Sequence, residues 1–283
     1  MSMTMLSERL VSVVKGWQEL RNTVARLDRC KSYGDGLLHP IIVGLVEWPY
    51  IHNTWSVAER LNAVATHYEL LDRCRTNIFR LKFNQSQQLA CLGFAAEGCK
   101  IVIDRPPWFI REGELVLNIF SGDLRIVSIA FVLGQDTSGL KLILGAIQGI
   151  HSGVSREDSL LMFKTLTKTF EGMRPRSLLI FILRVIARYV GAERICAVAN
   201  LHRHHLHCYF GALEQTKLST DYDEIWLDHG GVLDSSSGFY QLPIEAKRKE
   251  YAEIPPNKRA MYRRRYEILQ HIEHAVLQAL EVN

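Results

Sequence analysis

Between Glu114 and Gln148 the chain carries three strand-like segments, Glu114–Phe120, Leu124–Leu133 and Leu140–Gln148, separated only by Ser121-Gly122-Asp123 and Gln135–Gly139. Each connection is short and holds a glycine, which supplies the backbone freedom of a tight hairpin. Strands joined this way pair antiparallel, because a parallel pair needs a long crossover. The next segment supplies such a crossover. Ser155-Arg-Glu-Asp158 reads as a helix start, with acids in the first turn where the helix dipole favours them. That helix ends near Gly172. Pro175 opens a second one, whose body is Leu178–Val190 and which Gly191 ends. Arg194–Ala199 is then a buried strand. The expected fold is α/β (α+β): an antiparallel meander extended by a strand–helix–strand crossover.

The flanks read differently. Leu6, Leu10, Val13, Val14, Trp17, Leu20, Val24 and Leu27 recur at steps of three and four, the spacing of one helix face. Gly34-Asp35-Gly36 interrupts the pattern. Ser56-Val-Ala-Glu59 is a capping box that opens another helix, with Leu61, Val64, Ala65, Tyr68 and Leu71 as its buried stripe. Leu89–Ala95 and Lys100–Asp104 are candidate strands. Pro255-Pro256 leads in extended form to a terminal helix with a basic first half. The organisation expected is a helical N-terminal section, residues 1–36, and a single α/β domain over residues 37–283.

A chain of 283 residues with 47% hydrophobic and 23% charged residues can bury a full core, which excludes a disordered body. Its net charge of +4 is too small and too local for a dedicated nucleic-acid binder, so specific nucleic-acid recognition is not expected. None of the six cysteines forms a C-x-x-C pair, and Cys91, Cys99 and Cys196 stand in apolar contexts, which predicts reduced thiols acting as small fillers. Met1–Leu10 has no apolar core of a leader, and Leu178–Val190 is too short to cross a bilayer and is broken by Arg184 and Arg188. A cytoplasmic protein is expected, with peripheral contact at the inner membrane as an option.

Six segments carry a family resemblance: Arg111-Glu-Gly-Glu-Leu115, Gly145-Ala-Ile-Gln-Gly149, Met173-Arg-Pro-Arg176, Tyr222-Asp-Glu-Ile-Trp226, Gly238-Phe-Tyr-Gln-Leu-Pro243 and Lys258-Arg-Ala-Met-Tyr-Arg-Arg-Arg-Tyr266. In that order, across roughly residues 37–272, the chain resembles the VirK/YbjX family. The resemblance implies a bacterial protein linked to virulence, envelope integrity and survival of antimicrobial peptides; it implies no particular reaction. A second resemblance concerns architecture. A meander, then helix, then strand is similar to the acyl-CoA N-acyltransferase fold, which seats its donor's pyrophosphate on backbone N–H groups at a helix start after the fourth strand. Gln148-Gly149-Ile-His-Ser152-Gly153 occupies that place. It departs from that family's Gln/Arg-x-x-Gly-x-Gly/Ala pattern, and an extra helix precedes the apolar one.

The candidate sites follow from these segments. Gln148, Gly149, Ser152 and Gly153 allow close backbone approach to an anion such as the phosphates of an acyl-CoA or another anionic acyl donor; a plain turn is the alternative. Arg174 and Arg176 place two guanidinium groups at a helix start, where the dipole disfavours cations, so an anion or nearby acids must compensate. The run Leu201-His-Arg-His-His-Leu-His-Cys208 could ligate a metal, form a solvated loop, or supply His202 as a general base. Asp223, in Asp221-Tyr-Asp-Glu224 near Trp226 and His229, is a second candidate proton acceptor; a strand with packed aromatics is the alternative. Lys258, Arg259, Arg263, Arg264 and Arg265 suit docking on an anionic membrane or a partner protein, or a solvated helix with ion pairs. Three functions are thus open: acyl or aminoacyl transfer to an amine, non-catalytic docking through the basic helix, and a metal-dependent enzyme built on the histidine run.

Overall fold

The computed structural model describes residues 3–33, 40–150, 153–211, 220–245 and 247–282. Its helices are α1 (Met3–Leu27), α2 (Pro40–Gly44), α3 (Val57–Arg73), α4 (Arg156–Thr169), α5 (Pro175–Tyr189), α6 (Tyr222–Asp228) and α7 (Arg259–Val282). Its strands are β1 (Ser86–Cys91), β2 (Cys99–Asp104), β3 (Leu115–Ser121), β4 (Leu124–Asp136), β5 (Gly139–Gln148), β6 (Arg194–Val198), β7 (Val232–Asp234) and β8 (Phe239–Leu242).

The strands form one sheet in the order β1-β2-β3-β4-β5-β6-β8-β7. The five strands β1 to β5 are a continuous antiparallel meander. The expected crossover, α4 and α5, returns the chain to lay β6 parallel to β5. The β7–β8 hairpin then closes the sheet, with β8 antiparallel to β6.

Residues Ile126 to Gly134 of β4 are buried without alternation, so both faces of the sheet are covered there. Helices α3 and α5 both pack on this strand. Leu178 to Ala187 of α5 are all buried, Arg184 included, because its guanidinium donates to the carbonyls of Pro243 and His229. Burying each Leu, Ile or Phe of this helix contributes roughly 1.5–3 kcal/mol. The capping box at Ser56 and Glu59 is formed. Helix α7 lays Ile272, Val276 and Leu280 into the core.

The N-terminal stripe is only half used. Leu20 and Leu27 are buried, whereas Val14 and Trp17 face solvent. Lys31 and Ser32 donate their backbone N–H groups to Asp72 of α3, which ties the end of α1 to the fold. The turn expected at Gly34–Gly36 lies outside the described residues. Cys99 and Cys196 are buried thiols as expected, but Cys91 is exposed at the sheet edge. Tyr222 and Trp226 are packed as expected, but on a helix, not a strand. Asp221 caps that helix through the Glu224 N–H, a local bond that a strand does not offer.

Candidate functional site

The β5–β6 ladder pairs only Lys141–Leu144 with Arg194–Ala197, while β5 runs on to Gln148. The two parallel strands therefore part at their carboxyl ends, the place where open α/β sheets receive ligands. A register shift in the β4–β5 pair falls at Gly145. The turn leading into β3 lies directly on the sheet here: a side chain at Gly145 would collide with the Glu112 carbonyl, and one at Gly113 with the Phe131 backbone. Ile51 donates its N–H to the Arg111 carbonyl and holds this turn from the other side.

The Glu112 side chain is thus buried at the carboxyl end of β5. Gln148, the last residue of β5, donates its amide to both Glu112 oxygens, at 3.0 and 2.8 Å. The His204 Nδ1 lies 3.9 Å from the same carboxyl group. Arg203 stacks its guanidinium 3.7 Å from the centre of the Tyr222 ring and donates to the Thr220 carbonyl. Arg111 sits over Trp48, Tyr209 and Phe210. Burial pushes the Glu112 carboxyl up to about 7, with Arg203 and the Gln148 amide pulling the other way. Burial, with His205, Arg203 and Arg111 nearby, pushes the His204 imidazole down to about 3. Burial, reinforced by Glu112, raises the Tyr222 phenol, so it stays protonated.

Glu114, two residues away, shows the opposite outcome. Arg105 reaches it at 2.8 Å, and the Tyr68 and Tyr50 hydroxyls donate to it at 2.7 and 3.2 Å. Burial opposes ionisation, but these partners hold it below the usual carboxylate range. Glu114 is a structural charge. Glu112, whose direct partner is a neutral amide, is a carboxyl group that exchanges its proton near neutrality.

Four buried polar atoms without a hydrogen-bond partner belong to residues of this region: His204 Nδ1, Tyr222 Oη, Arg176 Nε and Arg111 Nε. Native interiors tend to satisfy such atoms, so these are groups open to a polar ligand.

The expected site residues divide. Gln148 lies in the cluster, with its amide committed to Glu112. Gly149 packs against Phe163 of α4, Gly153 is exposed, and Ser152 lies outside the described residues. Arg176 is half-buried and shares its surroundings with Tyr222 and Glu224. Arg174 is exposed and stands 3.8 Å from Asp228, a long and solvated pair.

His202 is engaged elsewhere. It stacks on His52 at 4.5 Å, and a side chain at Gly238 would strike both rings. Asp223 accepts the Asn200 N–H at 2.8 Å and so fixes the turn that aims Arg203 and His204. His207 Nδ1 accepts the Tyr209 N–H, and among the described residues no group of three His, Cys, Asp or Glu side chains is arranged to hold a metal.

In the basic helix, Arg264 forks onto the Glu171 carboxylate at 2.8 and 2.9 Å, and Arg265 donates twice to the Glu171 carbonyl. Arg259 stacks on Tyr251. Lys258 and Arg263 remain exposed. Arg264 and Arg265 thus clamp the Glu171–Gly172 turn just ahead of Arg174 and Arg176. No described helix is long and apolar enough to cross a membrane.

Glu112 stands in a segment that the sequence marks only by its family resemblance, and Tyr222 in one whose expected chemistry falls on Asp223. Arg203 and His204 were within the histidine run, where attention to metal spacing hid them.

The model of the family named "Protein of unknown function (DUF535)" matches residues 21–278. Escherichia coli K12 YbjX, named as an uncharacterized protein, is 30% identical over 232 residues, which are 80% of this chain and 68% of YbjX. Two uncharacterized proteins of Haemophilus influenzae are 30% identical over 159 residues and 27% over 169, or 56% and 60% of this chain. The matches span about half of each of those two proteins, 50% and 53%. No solved structure matches. The ordered segments seen in the sequence and the match across almost the whole chain agree: the protein belongs to the DUF535 family, that of YbjX and VirK.

Proposed function

We propose that the protein transfers an acyl group from an anionic thioester donor to an amine, with Glu112 as the proton acceptor. The observation that carries this reading is the parting of β5 and β6 around a buried carboxyl group that titrates near neutrality. The meander followed by helices and a parallel strand supports the reading through its resemblance to the N-acyltransferase architecture. In the step, the amine nitrogen attacks the thioester carbonyl carbon. The C–N bond forms, the C–S bond breaks, and the amine proton passes to the Glu112 carboxylate and then to the leaving thiolate. The Tyr222 hydroxyl donates to the carbonyl oxygen as it gains charge. The neutral His204 offers Nδ1 as an acceptor that orients the amine. Arg176, with Arg174 beside it, meets the donor's phosphate.

Glu112 takes the role over His202, which is stacked on His52, and over Asp223, which is bonded to the Asn200 N–H. We read the acceptor amine as part of an envelope component, in line with the virulence, envelope and antimicrobial-peptide association of the VirK/YbjX resemblance. The non-catalytic docking reading has less support, because Arg264 and Arg265 are turned onto Glu171.

The test is thiol release from a panel of acyl thioesters in the presence of amines, with the product confirmed by mass spectrometry. Glu112→Gln should lower kcat by about a hundredfold or more. Arg176→Ala should act mainly on KM. No amine-dependent thiol release from any acyl thioester would end the transferase reading.

A further inference from the structure

Helix α4 interrupts the crossover between β5 and the apolar helix α5, and it sits beside the site: Phe163 packs against Gly149 in the loop that leaves β5. Its inner face buries Leu166 fully, with Met162 and Phe163 half-buried. Its outer face holds Arg156, Leu160, Lys164 and Lys168, spaced four residues apart and so aligned in one row, with Leu161 alongside. All five are exposed, Leu160 at 61% and Leu161 at 64%. Among the described residues none of the three cations is paired with a carboxylate. Two neighbouring leucines framed by unpaired cations are unusual on a helix with no structural demand for them.

The helix starts beside the site are poorly suited to a nucleotide pyrophosphate. In α4, Ser155 caps the Asp158 N–H, and Glu157 and Asp158 place two carboxylates in the first turn, which repels a dianion. In α5, Pro175 removes a backbone donor at the first position. What remains there, Arg174 and Arg176, suits a single phosphate diester.

We infer that the outer face of α4 is the docking surface for an acidic carrier protein, which brings the acyl group to the site on a phosphopantetheine arm. This rests on the transferase reading above and names its donor. The row of cations meets an acidic helix of the carrier, Leu160 and Leu161 supply the desolvated centre of the contact, and the arm's phosphate reaches Arg174 and Arg176. The chemistry is unchanged: the acyl C–S bond breaks, the C–N bond forms, and the carrier leaves with a free thiol. An anionic membrane is the less favoured occupant, because α4 exposes no aromatic residue to enter the bilayer interface.

The experiment compares palmitoyl-carrier protein with palmitoyl-CoA, for binding by calorimetry and for amine-dependent thiol release. It uses the full chain and three variants, Leu160→Asp, Lys164→Glu/Lys168→Glu and Glu112→Gln. Circular dichroism and thermal melts confirm that each is folded. The expected result is carrier binding that weakens by more than about tenfold in the first two variants and is kept in Glu112→Gln, which loses transfer alone. Transfer from palmitoyl-CoA that the carrier does not improve, or carrier binding indifferent to the α4 changes, overturns the docking surface and leaves the transferase. Carrier binding that needs α4 but gives no transfer keeps the surface and removes the transferase. Lys164- and Lys168-dependent co-sedimentation with phosphatidylglycerol vesicles, without carrier binding, assigns the face to a membrane instead.

Discussion

Replacing Glu112 by Gln should stabilise the protein at high pH while lowering the proposed transfer activity. The sign follows from the direction of the shift. Glu112 titrates at about 7 in the fold, against an ordinary value of 4.5, chiefly because burial disfavours its charge. The folded chain therefore holds this proton more tightly than the unfolded chain. The stabilisation tied to it is fully present below pH 4.5 and is lost as the pH rises through about 7. A displacement of that size corresponds to about 3 kcal/mol. A glutamine is never charged and avoids this loss. It keeps an oxygen to accept from Gln148, and its amide can donate to the unpartnered Nδ1 of His204.

Urea denaturation of the two proteins between pH 4 and pH 9 reads this directly. The curves should nearly coincide at the acid end, separate between pH 4.5 and about 7 and run parallel above that, with the variant more stable by about 3 kcal/mol, or roughly 6 °C in Tm. A stability difference that does not change with pH would refute the reasoning. So would a variant that is less stable at pH 9, since Glu112 would then be an ionised partner of Arg203 and not a proton acceptor.

Two further substitutions test the scaffold. Gly145→Ala places a methyl group against the Glu112 carbonyl and should cost about 4 kcal/mol or more, seen as a large loss of urea midpoint; a neutral result would mean the Glu112 turn is not pressed onto β5. Arg265→Ala removes two hydrogen bonds to the Glu171 carbonyl and should cost about 2 kcal/mol, whereas the exposed Arg263→Ala should stay within about 0.5 kcal/mol; equal effects would argue against the clamp.

The sheet was legible because its signals are local. Short glycine turns force β3, β4 and β5 into hairpins, and a helical crossover leaves β6 only a parallel place. The α6 helix was misread because Tyr222 and Trp226 fit a strand equally well, and the deciding bond is Asp221 to the Glu224 N–H. The site was only partly legible. The sequence marks Gln148, Arg174 and Arg176 by position, but it writes Glu112 and Glu114 identically on either side of a glycine. Only the fold gives Arg105 and two phenols to one and an amide to the other.

That difference is built from backbone contacts more than from charges. Gly113 and Gly145 let the turn before β3 lie directly on β4 and β5, with no side chain between. Water is excluded from the Glu112 carboxyl by this closeness, and exclusion of water is the main cause of its high affinity for a proton. The same contacts press the turn onto β5 at Gly145, one residue beyond Leu144, where its ladder with β6 ends. An isolated glutamate placed in a wider cleft would be hydrated and would titrate as an ordinary acid, too weak a base to take the proton of an attacking amine.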